Sequence, residues 1–595
     1  MHIPIITSII TYYKLFYGYA GRSLYVLILL ILLGGMFEGF GIMMLLPLLN
    51  FGQSEDVHDS YSHAMYQFLE SSGIGISLFS IISFLLIAFS LKGVFLFLQG
   101  VMSVYITTNL EKKLKIGFCE KFRAMKYSYY TNVSIGYLNN LVTTETDRAI
   151  AGLNKFTTVI ASIIFISVYI SASFIINWVL SIIALIVCFF LFVMFKQLSQ
   201  ITRKLSVLIS EKFAQIQSLL IQTIYNFKYL KSTESFKNVF KQLFKKIDDQ
   251  RHYKFKSGVL LAIPKSIIEP ASVIFLSVIV LYYVDYKGKT IAEIMVLLLF
   301  FYKTFTRVFS FQTDWQSFNA NTGSIMVVEK AFKALDNNRE ATGDCFVKGF
   351  KRSIELKRLN FSYGSKQVLF DIDMVIPKNR AIGIIGESGA GKTTLFDILT
   401  GLFTPMSGSI SIDGIDYKDL EMASLRKIMG YITQEPVIFN DTIANNISFW
   451  KLDGDNKAFK AKLESSAFMA HSTDFINKAE NGYNTIIGDK GVKLSGGQRQ
   501  RIAIARELFK EPEIMIFDEA TSALDTESEH LIQKSINLLK GERTIVIIAH
   551  RLSTVRNCDY IYVLNDGRIV EEGSFDELYG DGNSRFFSMC QKQNL

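Results

Sequence analysis

Cysteine is scarce in this sequence and follows no recognisable spacing. There are five cysteines among 595 residues, with no C-x-x-C pair and no pattern of pairs. This argues against a disulfide framework and against a zinc site. We interpret the five as free thiols in a reducing or buried setting: Cys119, Cys188, Cys345, Cys558 and Cys590.

Proline is scarce too, whereas apolar residues are abundant. The chain holds 8 Pro against 49 Phe, half of its residues are hydrophobic, and its mean hydropathy is +0.27. This composition favours a membrane protein over an ordinary cytosolic enzyme. The net charge of +9 does not by itself indicate nucleic acid, because the basic residues gather in two segments between apolar runs. We expect no nucleic-acid partner.

The first half of the chain holds six apolar runs that are long enough to cross a bilayer, which takes roughly 20 residues. We therefore predict an α-helical transmembrane domain of six long spanning helices over residues 1–325, followed by a linker at 326–344. The third and fourth runs are separated only by a tight turn at Asn177. The runs lie near Leu24–Phe51, Ile76–Tyr105, Thr157–Asn177, Trp178–Phe195, Gly258–Val284 and Ile291–Phe311.

The placement of Lys and Arg orients these helices. Segments 111–156 and 196–256 are rich in both residues, whereas 52–75 contains neither. We therefore predict a multi-pass protein of the cytoplasmic (inner) membrane with both termini in the cytosol. The basic segments keep helical periodicity, so the spanning helices should continue into the cytosol as helical hairpins. We expect their turns near Gly136 and Asn226, which would allow the bend.

Two shorter segments flank the first span. Residues 5–19 are predicted to form an amphipathic helix at the membrane surface, with its aromatic side chains, such as Tyr12, in the headgroup zone. Residues 55–73 are predicted to form a short outer helix. We interpret this outer helix as a cap, with contact to lipid or guidance of an acyl chain as alternatives.

Ionisable residues inside apolar runs indicate a substrate pathway, because a charge in lipid is costly. Lys303 and Arg307 are four residues apart and share one helix face; together with Glu38 and Glu269 they are the candidates for substrate contact. Two structural alternatives stay open. Glu269 could form an intrahelical ion pair with Lys265, and Arg307 could extend to the cytosolic surface.

In the second half, residues 386–393 fit the pattern G-x-x-x-x-G-K-[ST]. A short buried strand precedes them and a helix follows, which is the context of a loop that holds nucleotide phosphates. Lys392 is predicted to contact the β- and γ-phosphates of ATP, and Thr393 to supply a hydroxyl to Mg²⁺. The predicted nucleotide-binding residues here are Gly386, Glu387, Ser388, Gly389, Ala390, Gly391, Lys392, Thr393 and Thr394.

Short strands alternate with helical segments from residue 345 to 595, which predicts an α/β domain. An acid pair, Asp518 and Glu519, follows one of the strands. Asp518 is predicted to hold Mg²⁺ and Glu519 to polarise the attacking water. The predicted strands are Ser353–Leu359, Ser409–Ile412, Ile514–Asp518 and Ile545–Ile548.

The pentapeptide Leu494-Ser495-Gly496-Gly497-Gln498 opens a helix and forms a second anion site. With it, the sequence resembles the ABC transporter ATPases, in which this signature closes on the phosphate loop of another subunit. The resemblance covers about 345–590. It implies nucleotide contacts from Ser495, Gly496, Gly497 and Gln498.

The resemblance also implies roles for four further residues. Tyr363 stands where an aromatic ring stacks on adenine, and Asp525 ends the D-loop. Gln434 is the Q-loop residue, which places it among the catalytic and metal-binding positions. His550 is the switch histidine that contacts the γ-phosphate, so the catalytic set comprises Lys392, Gln434, Glu519 and His550.

By the logic of this family, six spans and one ATPase domain make half of an exporter. A second copy would complete it as a homodimer with ATP at the interface, and a heterodimer stays open. A weaker resemblance, at Phe37–Phe40, Leu46–Leu49 and Ile263–Glu269, is to bacterial lipid-linked oligosaccharide flippases. It implies a lipid-linked oligosaccharide or another lipid as cargo. A peptide or drug exporter, an ATP-gated channel and a non-transporting ATPase remain alternatives.

Overall fold

The chain forms two compact units in the computed structural model. One comprises Met1–Met125 and Tyr129–Arg339, and the other Lys126–Ser128 and Glu340–Leu595. The outer helix predicted at 55–73 lies outside the described residues. The structure describes residues 5–49, 77–287, 291–451, 456–519, 525–549 and 551–593.

The first half of the chain is helical, with π-helical turns at Leu141–Glu145 and Tyr282–Tyr286. The helices are α1 (Ile5–Ala20), α2 (Ser23–Met43), α3 (Leu45–Leu49), α4 (Leu78–Arg123), α5 (Tyr127–Tyr130), α6 (Ile135–Asn140), α7 (Thr146–Ile176), α8 (Trp178–Tyr225), α9 (Phe227–Ser232), α10 (Phe236–Leu281) and α11 (Ile291–Asn337). Within the described residues, six helical segments are long and apolar enough to cross a membrane, which confirms the prediction: Ser23–Leu49, Leu78–Arg123, Ile135–Ile176, Trp178–Tyr225, Phe236–Tyr286 and Ile294–Asn337.

The longest helices exceed the thickness of a bilayer. α8 has 48 residues, which at 1.5 Å per residue is about 72 Å, against a hydrocarbon core of about 30 Å. The tight turn before it is also as predicted. Asn177 separates α7 from α8, and its side-chain oxygen accepts a hydrogen bond from the N–H of Leu180 at 3.1 Å, which caps the new helix.

The position of Gly136 differs from the prediction. The turn between α4 and α6 is complete before this residue, and Ser134 caps α6 by accepting a hydrogen bond from the N–H of Tyr137 at 3.2 Å. Gly136 lies inside α6, where a Cβ atom would stand 2.3 Å from the Cα of Ser218 in α8. Glycine is needed here for close helix packing and not for a bend.

The predicted N-terminal helix is present as α1, but one expectation about its aromatic residues is wrong. Tyr12 is buried, and its ring lies 4.8 Å from that of Phe318 in α11. Phe16 is buried against Phe156 of α7, at 5.3 Å. These rings therefore attach α1 to the helical core, whereas Tyr17 remains exposed.

Polar contacts join α7, α8 and α11 at positions outside their apolar runs. Arg148 of α7 donates to the hydroxyl of Ser210 at 2.9 Å and to the carbonyl of Ala320 at 3.1 Å. The hydroxyl of Ser206 donates to the same carbonyl at 2.6 Å. A Cβ atom at Gly323 would lie 2.7 Å from the carbonyl carbon of Ser206. The three helices are thus fixed against one another by both bonding and close approach.

The linker predicted at 326–344 needs correction, because α11 continues to Asn337. Apolar side chains recur at helical spacing through this part of the chain and are buried, so the helix gains packing energy well beyond the membrane. The division between the units falls after Arg339. The buried residues are Ile325, Val328, Ala331 and Leu335.

The described residues of the second unit form two sheets. One has four antiparallel strands in the order β2-β1-β4-β5, and the other six strands in the order β10-β9-β3-β8-β7-β6. The strands are β1 (Ser353–Tyr363), β2 (Lys366–Pro377), β3 (Ala381–Gly386), β4 (Ser407–Ile412), β5 (Ile415–Asp416), β6 (Met429–Ile432), β7 (Ile514–Asp518), β8 (Thr544–Ala549), β9 (Tyr560–Asn565) and β10 (Arg568–Gly573). The helices are α12 (Lys392–Leu399), α13 (Met422–Lys427), α14 (Ile443–Ser448), α15 (Lys457–Met469), α16 (Thr473–Lys478), α17 (Gly496–Phe509), α18 (Thr526–Leu539), α19 (Phe575–Gly580) and α20 (Arg585–Lys592).

The central strands of the larger sheet are parallel and fully buried. β8 pairs with β3 on one side and β7 on the other, with Ala549 opposite Ile385 and Ile548 opposite Asp518. The carboxyl ends of β3, β7 and β8 therefore meet at one edge. The continuous apolar runs of these strands made them predictable. β10 alternates exposed and half-buried residues. This mixed pattern did not allow the strand to be predicted from the sequence.

We predict that Gly136→Ala destabilises the helical unit by about 1–3 kcal/mol, the usual cost of overpacking. The added methyl group would meet the backbone of Ser218. Thermal unfolding of the detergent-purified protein measures this. Gly117→Ala is the matched control, because its methyl group would stand 3.9 Å from Phe332, an ordinary contact. Equal melting temperatures for both variants would contradict the packing argument.

Candidate functional site

The predicted phosphate loop wraps around its own lysine. Lys392 is buried, and its ammonium donates to the carbonyls of Gly386 and Glu387, each at 2.9 Å. Gly389 and Gly391 have φ of 84° and 100°, a left-handed region that suits glycine. The backbone of the loop therefore favours glycine at both of these positions.

The loop ends where α12 begins, at Lys392. The N–H groups of the first helical turn have no partner within the helix and carry partial positive charge, so they suit phosphate oxygens. Thr393 is exposed in this turn, and Thr394 is buried. Burial lowers the pKa of Lys392, while the nearby charges of Glu519 and Asp518 raise it. A cationic lysine and acidic side chains thus share one small site.

The acid pair lies at the same sheet edge. Asp518 ends β7, and Glu519 follows with φ of 48°, an uncommon backbone conformation for a residue with a side chain. The side-chain amide of Gln434 donates to Oε2 of Glu519 at 2.8 Å. The structure therefore brings together Gln434 and Glu519, which the sequence separates by 85 positions.

The residues around Asp518 fit a magnesium ion. Burial, followed by the charge of Glu519, raises the pKa of Asp518, and a divalent cation would relieve this repulsion. Thr393, Asp518 and Gln434 offer oxygen donors, which Mg²⁺ prefers. Across the described part of the chain, no group of three His, Cys, Asp or Glu side chains could hold a metal. Water and phosphate oxygens could complete the coordination of the ion.

Tyr363 is placed beside the phosphate-loop helix. Its hydroxyl lies 3.3 Å from that of Thr394, within hydrogen-bond distance. Its ring packs edge-on against Phe361 at 5.0 Å and Phe403 at 5.4 Å. These contacts hold one part of the ring. The side chain is nevertheless 45% exposed, so the rest of the ring is accessible to solvent.

The signature segment begins α17 with a capping box. The hydroxyl of Ser495 accepts from the N–H of Gln498 at 3.2 Å, and the amide oxygen of Gln498 accepts from the N–H of Ser495 at 3.0 Å. This reciprocal pair fixes the helix start. A Cβ atom at Gly497 would stand 2.1 Å from the hydroxyl of Ser528, so glycine is required where α17 meets α18.

Asp525 caps α18 by accepting a hydrogen bond from the N–H of Ser528 at 3.0 Å. This bond lowers the pKa of Asp525. The rest of the predicted D-loop, 522–524, lies outside the described residues, and so does His550. Their predicted roles therefore stay predictions.

The sequence analysis did not predict one acidic residue of this site. Asp397 lies on α12, and burial, together with the charge of Asp518, raises its pKa to about 6. No local pattern marks it, because its pKa depends on burial in the folded unit and on the charge of Asp518, which is distant in sequence. The one available signal was its position in the helix that follows the phosphate loop.

In the membrane-spanning part, the structure groups three of the charged residues. Oε1 of Glu38 in α2 lies 3.0 Å from the ammonium of Lys92 in α4 and 3.1 Å from that of Lys303 in α11. Glu38 is almost fully buried, whereas the side chain of Lys303 is 38% exposed. Three helices thus contribute one carboxylate and two ammonium groups to a single cluster.

The other two candidates for substrate contact lie outside this cluster. The guanidinium of Arg307 stacks over the ring of Phe165, with 4.1 Å to its centroid. Glu269 is exposed on α10. The side chain of Lys265, the alternative partner of Glu269, lies outside the described part of the chain.

Two sequence families match the chain. Residues 24–311 match the family described as ABC transporter transmembrane region, and residues 369–522 the family described as ABC transporter. The heterocyst differentiation ATP-binding protein HepA of Nostoc sp. is 34% identical over 499 residues, which make up 82% of this chain and 80% of that protein. The chain belongs to the ABC transporters.

Two ATP-dependent lipid A-core flippases are also similar to this ABC transporter. That of Desulfotalea psychrophila is 34% identical over 412 residues, 68% of this chain and 71% of that protein. That of Yersinia pestis is 44% identical over 250 residues, 42% of each. The solved structure of a bacterial Atm1-family ABC exporter with ATP bound matches with a TM-score of 0.79 at 22% identity, covering 97% of this chain and 99% of that one. This ABC transporter therefore has the exporter fold.

We predict that Asp397→Asn stabilises the transporter at pH 8 more than at pH 5. The folded state raises the pKa of Asp397 from 3.8 to about 6. The wild type therefore loses stability as the pH rises through this interval, and the amide cannot ionise. Thermal unfolding in magnesium-free buffer at both pH values measures the effect, with the exposed Asp344→Asn as control. An equal gain at both pH values would contradict the prediction.

Proposed function

We propose that this transporter uses ATP hydrolysis to flip or export an anionic lipid-linked or amphipathic cargo across the cytoplasmic membrane. The cluster of Glu38, Lys92 and Lys303 is the observation that carries the choice of cargo. The similarity to lipid A-core flippases supports the same class. We infer that the ATPase domain and both termini are cytosolic.

Each residue of the ATP site has a proposed role in binding or hydrolysis. The phosphate loop and Lys392 would bind the β- and γ-phosphates, and Tyr363 would stack on adenine. Mg²⁺, held by Thr393, Asp518 and Gln434, would neutralise developing phosphate charge. Glu519 would accept the proton of the attacking water, with its carboxylate oriented by the amide of Gln434 at 2.8 Å.

We infer that two copies of the chain form the working transporter. The capping box orients the N–H groups at the start of α17 as an anion site, while the phosphate loop already forms one at α12. A second copy would let each signature, from Ser495 to Gln498, close on the phosphate loop of the other. His550 and Asp525 would complete the two composite sites, both of which would be competent in a homodimer.

The charge balance of the intramembrane cluster favours an anionic headgroup. Two ammonium groups share one carboxylate oxygen, so the cluster carries one positive charge in excess. An uncompensated charge is costly at membrane depth, and a phosphate or pyrophosphate would both neutralise it and accept charge-assisted hydrogen bonds. Arg307 lies one helical turn beyond Lys303 and could extend this site. We retain Glu269 as a weaker candidate for cargo contact.

The alternative cargoes are peptides and drugs, which a partly apolar cavity could also accept. An ATP-gated channel and a non-transporting ATPase are less well supported. Within the family, hydrolysis drives transport, and Glu519, needed for hydrolysis, is present. Currents that persist when Glu519→Gln is held with ATP would favour a channel. ATPase activity that no cargo alters in liposomes would favour a non-transporting role.

We predict that Glu519→Gln lowers the rate of ATP hydrolysis by about two to four orders of magnitude, the usual contribution of a general base. Lys392→Ala should abolish hydrolysis as well, through loss of phosphate binding. Phosphate release by the purified protein measures both rates. Glu542→Gln, a change of the same kind at an exposed position, should retain wild-type turnover. Near wild-type turnover in Glu519→Gln would refute the assignment of the base.

We predict that the double variant Lys303→Ala/Arg307→Ala keeps basal ATPase activity but loses most of its stimulation by an anionic lipid-linked cargo. Glu38→Gln should instead retain or increase stimulation, because it removes the competing carboxylate. A flipping assay in proteoliposomes, run across lipid-linked glycans, peptides and drugs, tests this. Lys348→Ala/Lys351→Ala, which removes two exposed lysines of the ATPase unit, is the control. Unchanged stimulation in the first variant would reject the role of the cluster.

A further inference from the structure

Tyr169 of α7 is buried beside the charged cluster, and its hydroxyl lacks a hydrogen bond. The side chain is fully buried, and its ring lies 6.1 Å from that of Phe165 and 6.5 Å from that of Phe300. Among the residues that the structure describes, no group forms a hydrogen bond with the hydroxyl. Buried polar groups are nearly always hydrogen-bonded, so the position of this hydroxyl needs an explanation.

The charged groups that interact with this hydroxyl are those of Glu38 and Arg307. Both ammonium groups of the cluster bond to Oε1 of Glu38, whereas Oε2 is buried and has no hydrogen-bond partner in the described part of the chain. The guanidinium of Arg307 carries only donors, so it can bond only to the oxygen of the hydroxyl. The O–H proton of Tyr169 therefore remains available to a carboxylate.

The packing of α2 against α7 keeps Glu38 and Tyr169 close to each other. A Cβ atom at Gly39, the residue after Glu38, would stand 2.9 Å from Cγ1 of Val168, the residue before Tyr169. Because the two helices approach this closely, a change in side-chain torsions alone would join the carboxylate to the hydroxyl. In the structure the carboxylate bonds instead to the two ammonium groups of the cluster, which extend from α4 and α11.

An anionic headgroup would change the surroundings of Glu38. A phosphate needs the same two ammonium groups that hold the carboxylate, and the two anions would repel each other. A buried carboxylate that has lost its partners is costly, and the hydroxyl of Tyr169 offers it a charge-assisted hydrogen bond. A neutral headgroup does not repel the carboxylate and would leave it on the ammonium groups.

We propose that Glu38 occupies the cationic site while no cargo is bound, and that Tyr169 is a positioning residue that receives its carboxylate when an anionic headgroup binds. The inference rests on the proposed function, in which Lys303 and its neighbours bind the headgroup. Because one anion must be exchanged for another, the negative charge of the cargo becomes a condition for binding. Tyr169 thereby contributes to the selection of anionic over neutral lipids.

The first test measures the ATPase stimulation of the full-length transporter in proteoliposomes. The probes are a polyprenyl pyrophosphate and the uncharged polyprenol of the same chain length. Tyr169→Phe removes only the hydroxyl and should raise the half-maximal concentration of the pyrophosphate about tenfold, the equivalent of one hydrogen bond to a charged group. The maximal rate should change less, and the response to the polyprenol should equal that of the wild type.

Tyr12→Phe is the matched control, because it makes the same change at another buried tyrosine of the helical unit. An equal loss for both lipids in Tyr169→Phe would overturn the proposal. Thermal unfolding without cargo is a second check. Since the hydroxyl has no hydrogen-bond partner among the described residues, its removal should not lower the melting temperature. A clearly lower melting temperature in Tyr169→Phe would show that the hydroxyl is already bonded, and the proposal would fail.

A double-mutant cycle with Glu38→Gln distinguishes positioning from a structural role. The amide of the variant carries no charge for Tyr169 to receive. Adding Tyr169→Phe to Glu38→Gln should therefore change the half-maximal concentration of the pyrophosphate by about twofold or less. A loss of equal size in both backgrounds would contradict the inference, because a purely structural role does not depend on the charge of Glu38.

The outcomes also separate this inference from the proposed function. If the pyrophosphate does not stimulate the wild type, or if Lys303→Ala/Arg307→Ala retains full stimulation, the proposed cargo site fails first and the inference fails with it. If that double variant loses stimulation while Tyr169→Phe matches the wild type, the inference alone fails.

Discussion

The parallel pairing of β3, β8 and β7 is the constraint on which the nucleotide site depends. Because these strands run in one direction and lie side by side, their carboxyl ends coincide, and the loops that follow them must share the same small volume. The phosphate loop follows β3, and the acid pair follows β7. Gln434, shortly after the neighbouring β6, reaches Glu519 for the same reason. The sheet thus brings these site residues together although they are far apart in the sequence.

A different constraint governs the helical half, where charge must be compensated at close range. Glu38 tolerates burial because two ammonium groups lie within 3.1 Å of its carboxylate. Pairing of this kind is weak evidence for stability, since desolvation can cancel the attraction. The cluster draws its charges from three separate helices, and the cargo site that we propose gives its excess positive charge a task.

The features that could be predicted were those encoded locally. Six apolar runs, a glycine-rich loop between strand and helix, and an acid pair after a buried strand each show themselves within about 20 residues. The features that could not be predicted depend on contacts between distant segments. The close approach at Gly136, the pairing of Lys92 with Glu38 and the raised pKa of Asp397 all require a neighbour from another element. The linker was misplaced because the end of a membrane span was mistaken for the end of its helix.

The contacts among Arg148, Ser206, Ser210 and Gly323 have a mechanical consequence. Helices that are hydrogen-bonded and packed backbone to backbone resist sliding past one another, so we expect α7, α8 and α11 to move together. A small tilt at the membrane end of such a bundle becomes a larger displacement at its cytosolic end, in proportion to its length. These polar residues, which are not among those proposed to contact cargo or nucleotide, would then set how much a change at one end of the helical unit is amplified at its other end.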